Sequence, residues 1–270
     1  MDELGIIVVG ASGRMGRMLV KTIADAAGCR LTGATERQGS PFLGRDAGEL
    51  AGVGTQGVRI VDDLAQCPPA DVIIDFTAPQ ATLAHAEHAA SRGMAMVIGT
   101  TGFDANQLTR LREILLPVPT VMAANYSVGV NLMLELVRRA SSILGNDYDA
   151  EIFEAHHRHK VDAPSGTALA IGRALAEGRG VALDDVAVFA REGITGERKT
   201  GSIGFSVVRG GNIIGEHKAM FIAEEERLEI NHVAADRGVF AKGAVRAATW
   251  LRGRRPGWYS MRDVLGLSEV

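Results

Sequence analysis

Fifteen consecutive residues, Glu154 to Ala168, read E-A-H-H-R-H-K-V-D-A-P-S-G-T-A. Within them His156, His157, Arg158, His159 and Lys160 crowd one short stretch, and Pro164-Ser165-Gly166-Thr167 has the form of a helix start. Histidine is the side chain that titrates near neutrality, so His156 and its neighbours are candidates for acid–base work. Lys160 is a cation able to hold a carboxylate or donate a proton. The first backbone N–H groups of a helix at Ser165, with the Thr167 hydroxyl, favour an anion. Asp162, three positions ahead of Ser165, is placed to hold the loop or to cap that helix. Together these groups suit a small substrate carrying two carboxylates that is protonated as it reacts. Zinc is the competing use of the histidines. Their i, i+1, i+3 spacing does not put three ligands on one face, no cysteine is close, and Glu154 is the one adjacent carboxylate, so no metal is expected.

A second chemical signature lies at the other end of the chain. Gly10, Gly13 and Gly16 fall in G-A-S-G-R-M-G, between the apolar run Gly5–Val9 and a helical pattern from Arg14 to Ala27. Glycines so placed allow a tight turn, close backbone approach to a pyrophosphate, and close helix–strand packing. Glu36 ends the next strand pattern, where a carboxylate accepts from ribose hydroxyls, and Arg37 beside it can meet a 2′-phosphate. Either NADH or NADPH is therefore an expected cofactor. Gly99-Thr100-Thr101 and Ala123-Ala124-Asn125-Tyr126 follow two further apolar runs, at strand ends where open α/β sheets bind ligands. Gly99 to Gly102 also reads as an ordinary turn, with Asp104 as a helix cap.

The elements that carry these groups follow from periodicity. Short, almost wholly apolar runs at 31–35, 72–76, 94–98 and 120–123 alternate with helical patterns at 80–92 and 104–116, the mark of a doubly wound parallel sheet. After Asn125 the pattern changes. A helix is expected over 128–144, strands near 150–155, 186–191, 202–208, 212–223 and 227–234, and a helix over 165–178. Their length and polar alternation suggest an open, mostly antiparallel sheet in an α+β domain. The expected organisation is a dinucleotide-binding (Rossmann) domain over 1–127, a substrate-binding and oligomerisation domain over 128–240, and a C-terminal segment, 241–270, that docks back on the first. A hinge is expected around Tyr126 to Gly129.

Composition sets the bounds. The 270 residues, 46% hydrophobic and 23% charged, are those of a globular protein with a proper core. A net charge of −3 argues against a nucleic-acid partner. No apolar run approaches the ~20 residues needed to span a bilayer. The acidic start does not have the form of a signal or transit peptide. Cys29 and Cys67 lack metal-ligand spacing and are expected to be reduced, as in cytoplasm. Two other functions fit the sequence less well. An aldehyde or semialdehyde dehydrogenase needs a thiolate, and neither cysteine lies near these motifs. A redox sensor that binds the dinucleotide without turnover has little use for His156, Lys160 and the Ser165 helix start together.

At these residues the chain resembles the 4-hydroxy-tetrahydrodipicolinate (dihydrodipicolinate) reductases of diaminopimelate and lysine synthesis. The resemblance runs from about Gly5 to Leu267. It rests on G-A-S-G-R-M-G, D-F-T, V-I-G-T-T-G-F, A-A-N-Y-S-V-G-V-N, the 154–168 stretch, R-E-G-I-T-G-E-R and M-R-D-V-L. It implies His156 as the acid–base residue and Lys160 as a proton donor, the choice between them being open. It implies substrate contacts from His157, Gly166 and Thr167. The dinucleotide site it implies comprises Gly10, Ala11, Ser12, Gly13, Arg14, Met15, Glu36, Arg37, Gly99, Thr100, Thr101 and Ala123 to Tyr126. Tyr126 departs from the phenylalanine common there. Hydride transfer to ring C4 with loss of water, and a homotetramer built through the second-domain sheets, are the further implications.

Overall fold

The computed structural model describes residues 3–267, which divide into two compact units. One takes in the chain up to Val128 together with everything from Gly238 onward, and the other runs Gly129–Arg237.

In the first unit the chain forms β1 (Leu4–Val9), α1 (Arg14–Asp25), β2 (Cys29–Thr35), α2 (Ala47–Ala51) and β3 (Ile60–Val61). It continues through β4 (Val72–Asp75), α3 (Pro79–Arg92), β5 (Ala95–Ile98), α4 (Ala105–Ile114) and β6 (Pro119–Met122). Asp104 caps α4 in a capping box with Gln107. The strands are buried on both faces because each alternates between two apolar layers. Ile6, Val8, Ile74 and Val97 pack with Leu19 and Ile23 of α1, while Ile7, Ile73, Met96 and Ile98 pack with Leu83 and Ala86 of α3 and Leu111 of α4. The described pairings of this sheet are all parallel. The chain builds outward from β1 through β2 to β3, then returns to lay β4, β5 and β6 on the other side. The reversal falls between β1 and β4, at whose carboxyl ends such sheets bind ligands.

The second unit contains α5 (Val128–Leu144), β7 (Asp149–His156), α6 (Gly166–Gly178), α7 (Leu183–Val186), β8 (Ala187–Val188), β9 (Ile203–Arg209), β10 (Glu216–Ile222) and β11 (Arg227–Val233). Met133 and Val137 of α5 and Ile171 and Leu175 of α6 cover the sheet residues Ala150, Ile152, Phe205 and Phe221.

This sheet corrects the mostly antiparallel expectation. Its order is β11-β10-β7-β9-β8, with β7–β9 and β8–β9 parallel and β10–β7 and β10–β11 antiparallel, so it is mixed. The reason is the route between β7 and β9. It passes through α6, and a helical crossover returns the chain in the same direction. Side-chain alternation reports which face is buried and carries no information on strand direction. The strand expected over 186–191 shrinks to two residues.

The last stretch belongs to the first unit: α8 (Gly238–Leu251), β12 (Gly257–Tyr259), parallel beside β6, and α9 (Met261–Leu265). Among the described residues no helix is long and apolar enough to cross a membrane.

Candidate functional site

The glycine turn follows β1 directly. Gly10 sits at φ +67°, a conformation that side-chain-bearing residues rarely adopt. A Cβ on Gly16 would stand 2.2 Å from the Gly10 carbonyl oxygen and 2.6 Å from Ala11 Cα, so α1 presses its first turn onto the loop that precedes it. Backbone atoms cannot move aside. Gly16→Ala is therefore expected to weaken dinucleotide affinity at least about tenfold and to cost ~1–3 kcal/mol through overpacking. Equilibrium titration with NADPH and a thermal melt would check both, and an unchanged Kd would show that the turn need not sit this close to the helix.

Glu36 is tied into the same turn. Ser12 donates to its carboxylate from both the hydroxyl and the backbone N–H, and the Arg37 N–H donates to its other oxygen at 3.0 Å. Glu36 and Arg37 border a cavity of about 520 Å³ that also touches Gly10, Thr77 and His85. Arg14 and Met15 open α1, and Ala11 is buried, its N–H donating to Thr35 O.

The strand-end residues divide by exposure. Thr100 is buried, and its hydroxyl is committed to the carboxylate of Asp75 and to Thr77 and Thr82, whereas Thr101 is exposed. Gly99 is required by packing, since a Cβ there would fall 2.0 Å from the Phe76 ring. Ala124 is exposed and Ala123 and Asn125 are half-buried. Tyr126 is buried against Phe76, and its hydroxyl lies within hydrogen-bond distance of Ile98 O (2.8 Å) and Val121 O (3.0 Å). Its hydroxyl thus fastens the ends of β5 and β6 together. Burial drives the phenol pKa far upward, which keeps it a neutral donor.

Asp75 was not singled out from sequence. It is fully buried at the end of β4, accepts from Thr77 N (2.9 Å) and Thr77 Oγ1 (2.6 Å), and holds His85 Nδ1 at 2.8 Å. An aspartate closing an apolar strand, with threonine two residues on, was the available signal.

In the second unit the period of β7 places the chemistry. Ala150 and Ile152 face α6, and the same face continues to Glu154 and His156, which lie where α6 begins. Glu154 is 1% exposed, so its charge needs compensation. Arg209, at the end of β9, supplies a two-pronged contact at 2.7 Å on each oxygen. Ser165 N donates at 2.9 Å, and His156 Nδ1 donates at 2.6 Å. Burial would raise the Glu154 pKa, but Arg209, His156 and the Ser165 amide hold it below the ordinary carboxylate value. Burial pushes the His156 imidazole down, with Lys160 and Arg209 adding to the effect and Glu154 opposing it.

His217 of β10 packs edge-on against His156 with ring centres 5.1 Å apart. Its Nε2 lies 3.1 Å from Ser165 Oγ, and burial with the neighbouring His156 pushes it down to about 4. His157 and His159 follow in the turn, half-buried and exposed respectively, with burial and Arg237 depressing His157.

Lys160 Nζ pairs with Asp162 Oδ1 at 2.8 Å, and Arg209 donates to the Asp162 carbonyl at 2.7 Å. Asp162 therefore holds the loop, and the cap of α6 is Ser165, whose hydroxyl accepts from Ala168 N at 3.1 Å. Gly166 and Thr167 form the first turn of α6, and a Cβ on Gly166 would meet nothing within 4 Å. Glu154, His156, Lys160 and the start of α6 are thus gathered into one neighbourhood. Arg209 and His217 are the members that sequence reading missed.

Among the described residues no group of three or more His, Cys, Asp or Glu side chains is arranged to hold a metal ion. Cys29 and Cys67 are unpaired, and burial pushes the Cys67 thiol upward, away from thiolate chemistry.

A parallel sheet with a glycine turn at its point of reversal, joined to a mixed-sheet unit, is the architecture of a Rossmann-type nucleotide-binding protein with a second domain. Residues 4–126 match the family model for the N-terminus of dihydrodipicolinate reductase, and residues 129–265 match that for its C-terminus. The 4-hydroxy-tetrahydrodipicolinate reductase of Ruegeria pomeroyi is 53% identical over 97% of this chain and 98% of its own length. The protein of the same name from Dinoroseobacter shibae is 52% identical over 98% and 99%. A dipicolinate-bound dihydrodipicolinate reductase from Paenisporosarcina sp. TG-14 shares the fold with a TM-score of 0.75, at 22% identity, over 96% of this chain and 97% of that one. The chain belongs to the dihydrodipicolinate reductase family.

Proposed function

We propose that this protein reduces 4-hydroxy-tetrahydrodipicolinate to tetrahydrodipicolinate with NADH or NADPH, in the diaminopimelate route to lysine. The observation that carries the reading is the buried Glu154–His156 pair beside Lys160 and the start of α6, in a chain of this family. Loss of water from the substrate leaves a conjugated cyclic imine. A hydride at ring C4 and a proton on the neighbouring carbon complete the product, so one water leaves and one hydride and one proton enter.

The bound dinucleotide supplies the hydride. The residues that would hold it are Gly10 to Met15, Glu36, Arg37, Gly99 to Thr101 and Ala123 to Tyr126. The crowded Gly10–Gly16 turn and the cavity beside Glu36 and Arg37 suit a pyrophosphate and a ribose. Glu36 favours the hydroxylated ribose and Arg37 the phosphorylated one, so use of both cofactors is expected.

His156 or Lys160 delivers the proton. His156 is pushed toward its neutral form by burial, but a substrate with two carboxylates arriving beside it favours the imidazolium. His157, Gly166 and Thr167 grip those carboxylates through the imidazole and the first-turn amides. The second sheet turns Val208 and Val233, 42% and 56% exposed, toward the face away from α6, and we assign that face to a homotetramer. No metal, membrane or nucleic acid takes part in this reading, and a cytoplasmic setting accords with it.

The test is direct. Purified protein with freshly generated hydroxy-tetrahydrodipicolinate should oxidise NADPH and NADH, with tetrahydrodipicolinate as product. Dinucleotide binding without substrate-dependent oxidation would sink the assignment and favour a sensor.

A further inference from the structure

We propose that Glu154, clamped by Arg209, is the positioning residue that fixes the tautomer and orientation of His156. The inference rests on the reading of His156 as a group that exchanges a proton with substrate.

Three contacts immobilise the ring. Its Nδ1–H is committed to Glu154 Oε2 at 2.6 Å. The ring packs in a T-shaped contact with His217, whose Nε2 lies 3.1 Å from Ser165 Oγ. Glu154 in turn cannot swing, because Arg209 grips both oxygens at 2.7 Å and Ser165 N donates to one of them at 2.9 Å. With the carboxylate ionised, the one proton of the neutral ring stays on Nδ1, and Nε2 is left as the nitrogen that receives and returns a proton.

The surroundings of Nε2 support this division. Gly215, just before β10, lies beside it, and a Cβ there would come within 3.2 Å of Nε2. Gly215 does not have a positive φ, so space next to the imidazole is what glycine provides at that position.

The energetics point the same way. A buried ion pair seldom stabilises a fold more than apolar residues of similar volume, because both charges lose their hydration. Glu154 and Arg209 therefore need a reason beyond stability, and the imidazole in contact with the carboxylate is one. The charged and titratable groups facing His156 are Glu154 from its own strand, Arg209 from β9, His217 from β10, and His157 and Lys160 from the turn and loop that follow. Of these, Glu154 alone favours the imidazolium.

The experiment compares kcat, both KM values and the pH dependence of kcat in the unaltered enzyme, Glu154→Gln, Glu154→Asp, His156→Asn and Glu154→Gln/His156→Asn. In Glu154→Gln kcat at neutral pH should fall at least about tenfold with KM values within about twofold. The alkaline limb of its kcat profile should move to lower pH, because the imidazolium has lost its carboxylate. Glu154→Asp should recover part of the loss. In the His156→Asn background Glu154→Gln should cost nothing further, since the group it positions is gone. An unmoved alkaline limb, or losses that multiply in the double variant, overturns the proposal. Full activity in His156→Asn would instead remove the reading it rests on. Should Glu154→Gln fail to fold, nitrogen NMR of the unaltered protein decides. The His156 ring, assigned by its absence from the His156→Asn spectrum, should carry its neutral-state proton on Nδ1, and a proton on Nε2 would overturn the inference.

Discussion

Replacing Lys160 with alanine should lower kcat by about 10²–10⁴-fold, the usual worth of a positioned proton donor. Its Nζ sits 2.8 Å from Asp162 Oδ1 in a loop whose fold does not depend on it. The Asp162 carbonyl is fastened by Arg209 at 2.7 Å, and the backbone of Lys160 donates to His157 O at 3.1 Å, both of which survive truncation. The Lys160–Asp162 pair is partly exposed, so its loss should change folding stability by no more than ~1 kcal/mol. The proposed dinucleotide groups belong to the first unit, and NADPH affinity should stay within about twofold of the starting value. Steady-state kinetics, a chemical denaturation curve and a fluorescence titration separate the three quantities. A fall in NADPH affinity as large as the fall in kcat would show that the 154–168 loop is not a separate substrate site.

How much of this was legible in the sequence depended on whether the signal was local. The glycine turn, the α6 cap region and the alternating β1–β6 pattern are written in contiguous residues, and the strand and helix positions fall within a few residues of expectation. Glu154 and His156 carry a period-2 relation to Ala150 and Ile152 that places them on one face. What contiguous residues cannot state is which distant strand lies alongside. Arg209 reaches Glu154 because β9 runs parallel to β7 in a register that sets it opposite His156, and His217 arrives because β10 pairs with β7 opposite Glu154. The crossover through α6 sets β9 parallel to β7, and the same crossover makes the sheet mixed where a mostly antiparallel one was expected. Short elements escaped for another reason. β3 and β12 span two and three residues, too few to show a period.

Arg209→Ala tests the other half of that non-local pairing through stability. Truncation leaves Glu154, 1% exposed, with only His156 and the Ser165 amide, and breaking a buried pair from one side costs about 3–5 kcal/mol. The cost should depend on pH in a definite sense. In the unaltered protein the Glu154 pKa is held below its unfolded value, so its contribution is present above the ordinary carboxylate range and is lost as pH falls through the folded value. Without the guanidinium, burial is opposed more weakly and the folded pKa moves up. The variant's native state then takes up a proton at higher pH than the parent's, and a protonated Glu154 no longer needs a cation. The stability gap between the two proteins should therefore be widest near neutrality and narrow as pH falls toward the carboxylate range. His217, held down to about 4, also lowers stability as pH falls below the ordinary histidine value, but it does so in both proteins and cancels in the comparison. Denaturant unfolding at several pH values measures the gap. Adding Glu154→Gln to Arg209→Ala should recover part of the loss, because it removes the charge left uncompensated. A gap independent of pH, with no recovery in the double variant, would mean that Arg209 acts through its carbonyl contacts to Asp162 and Val208 and not through Glu154.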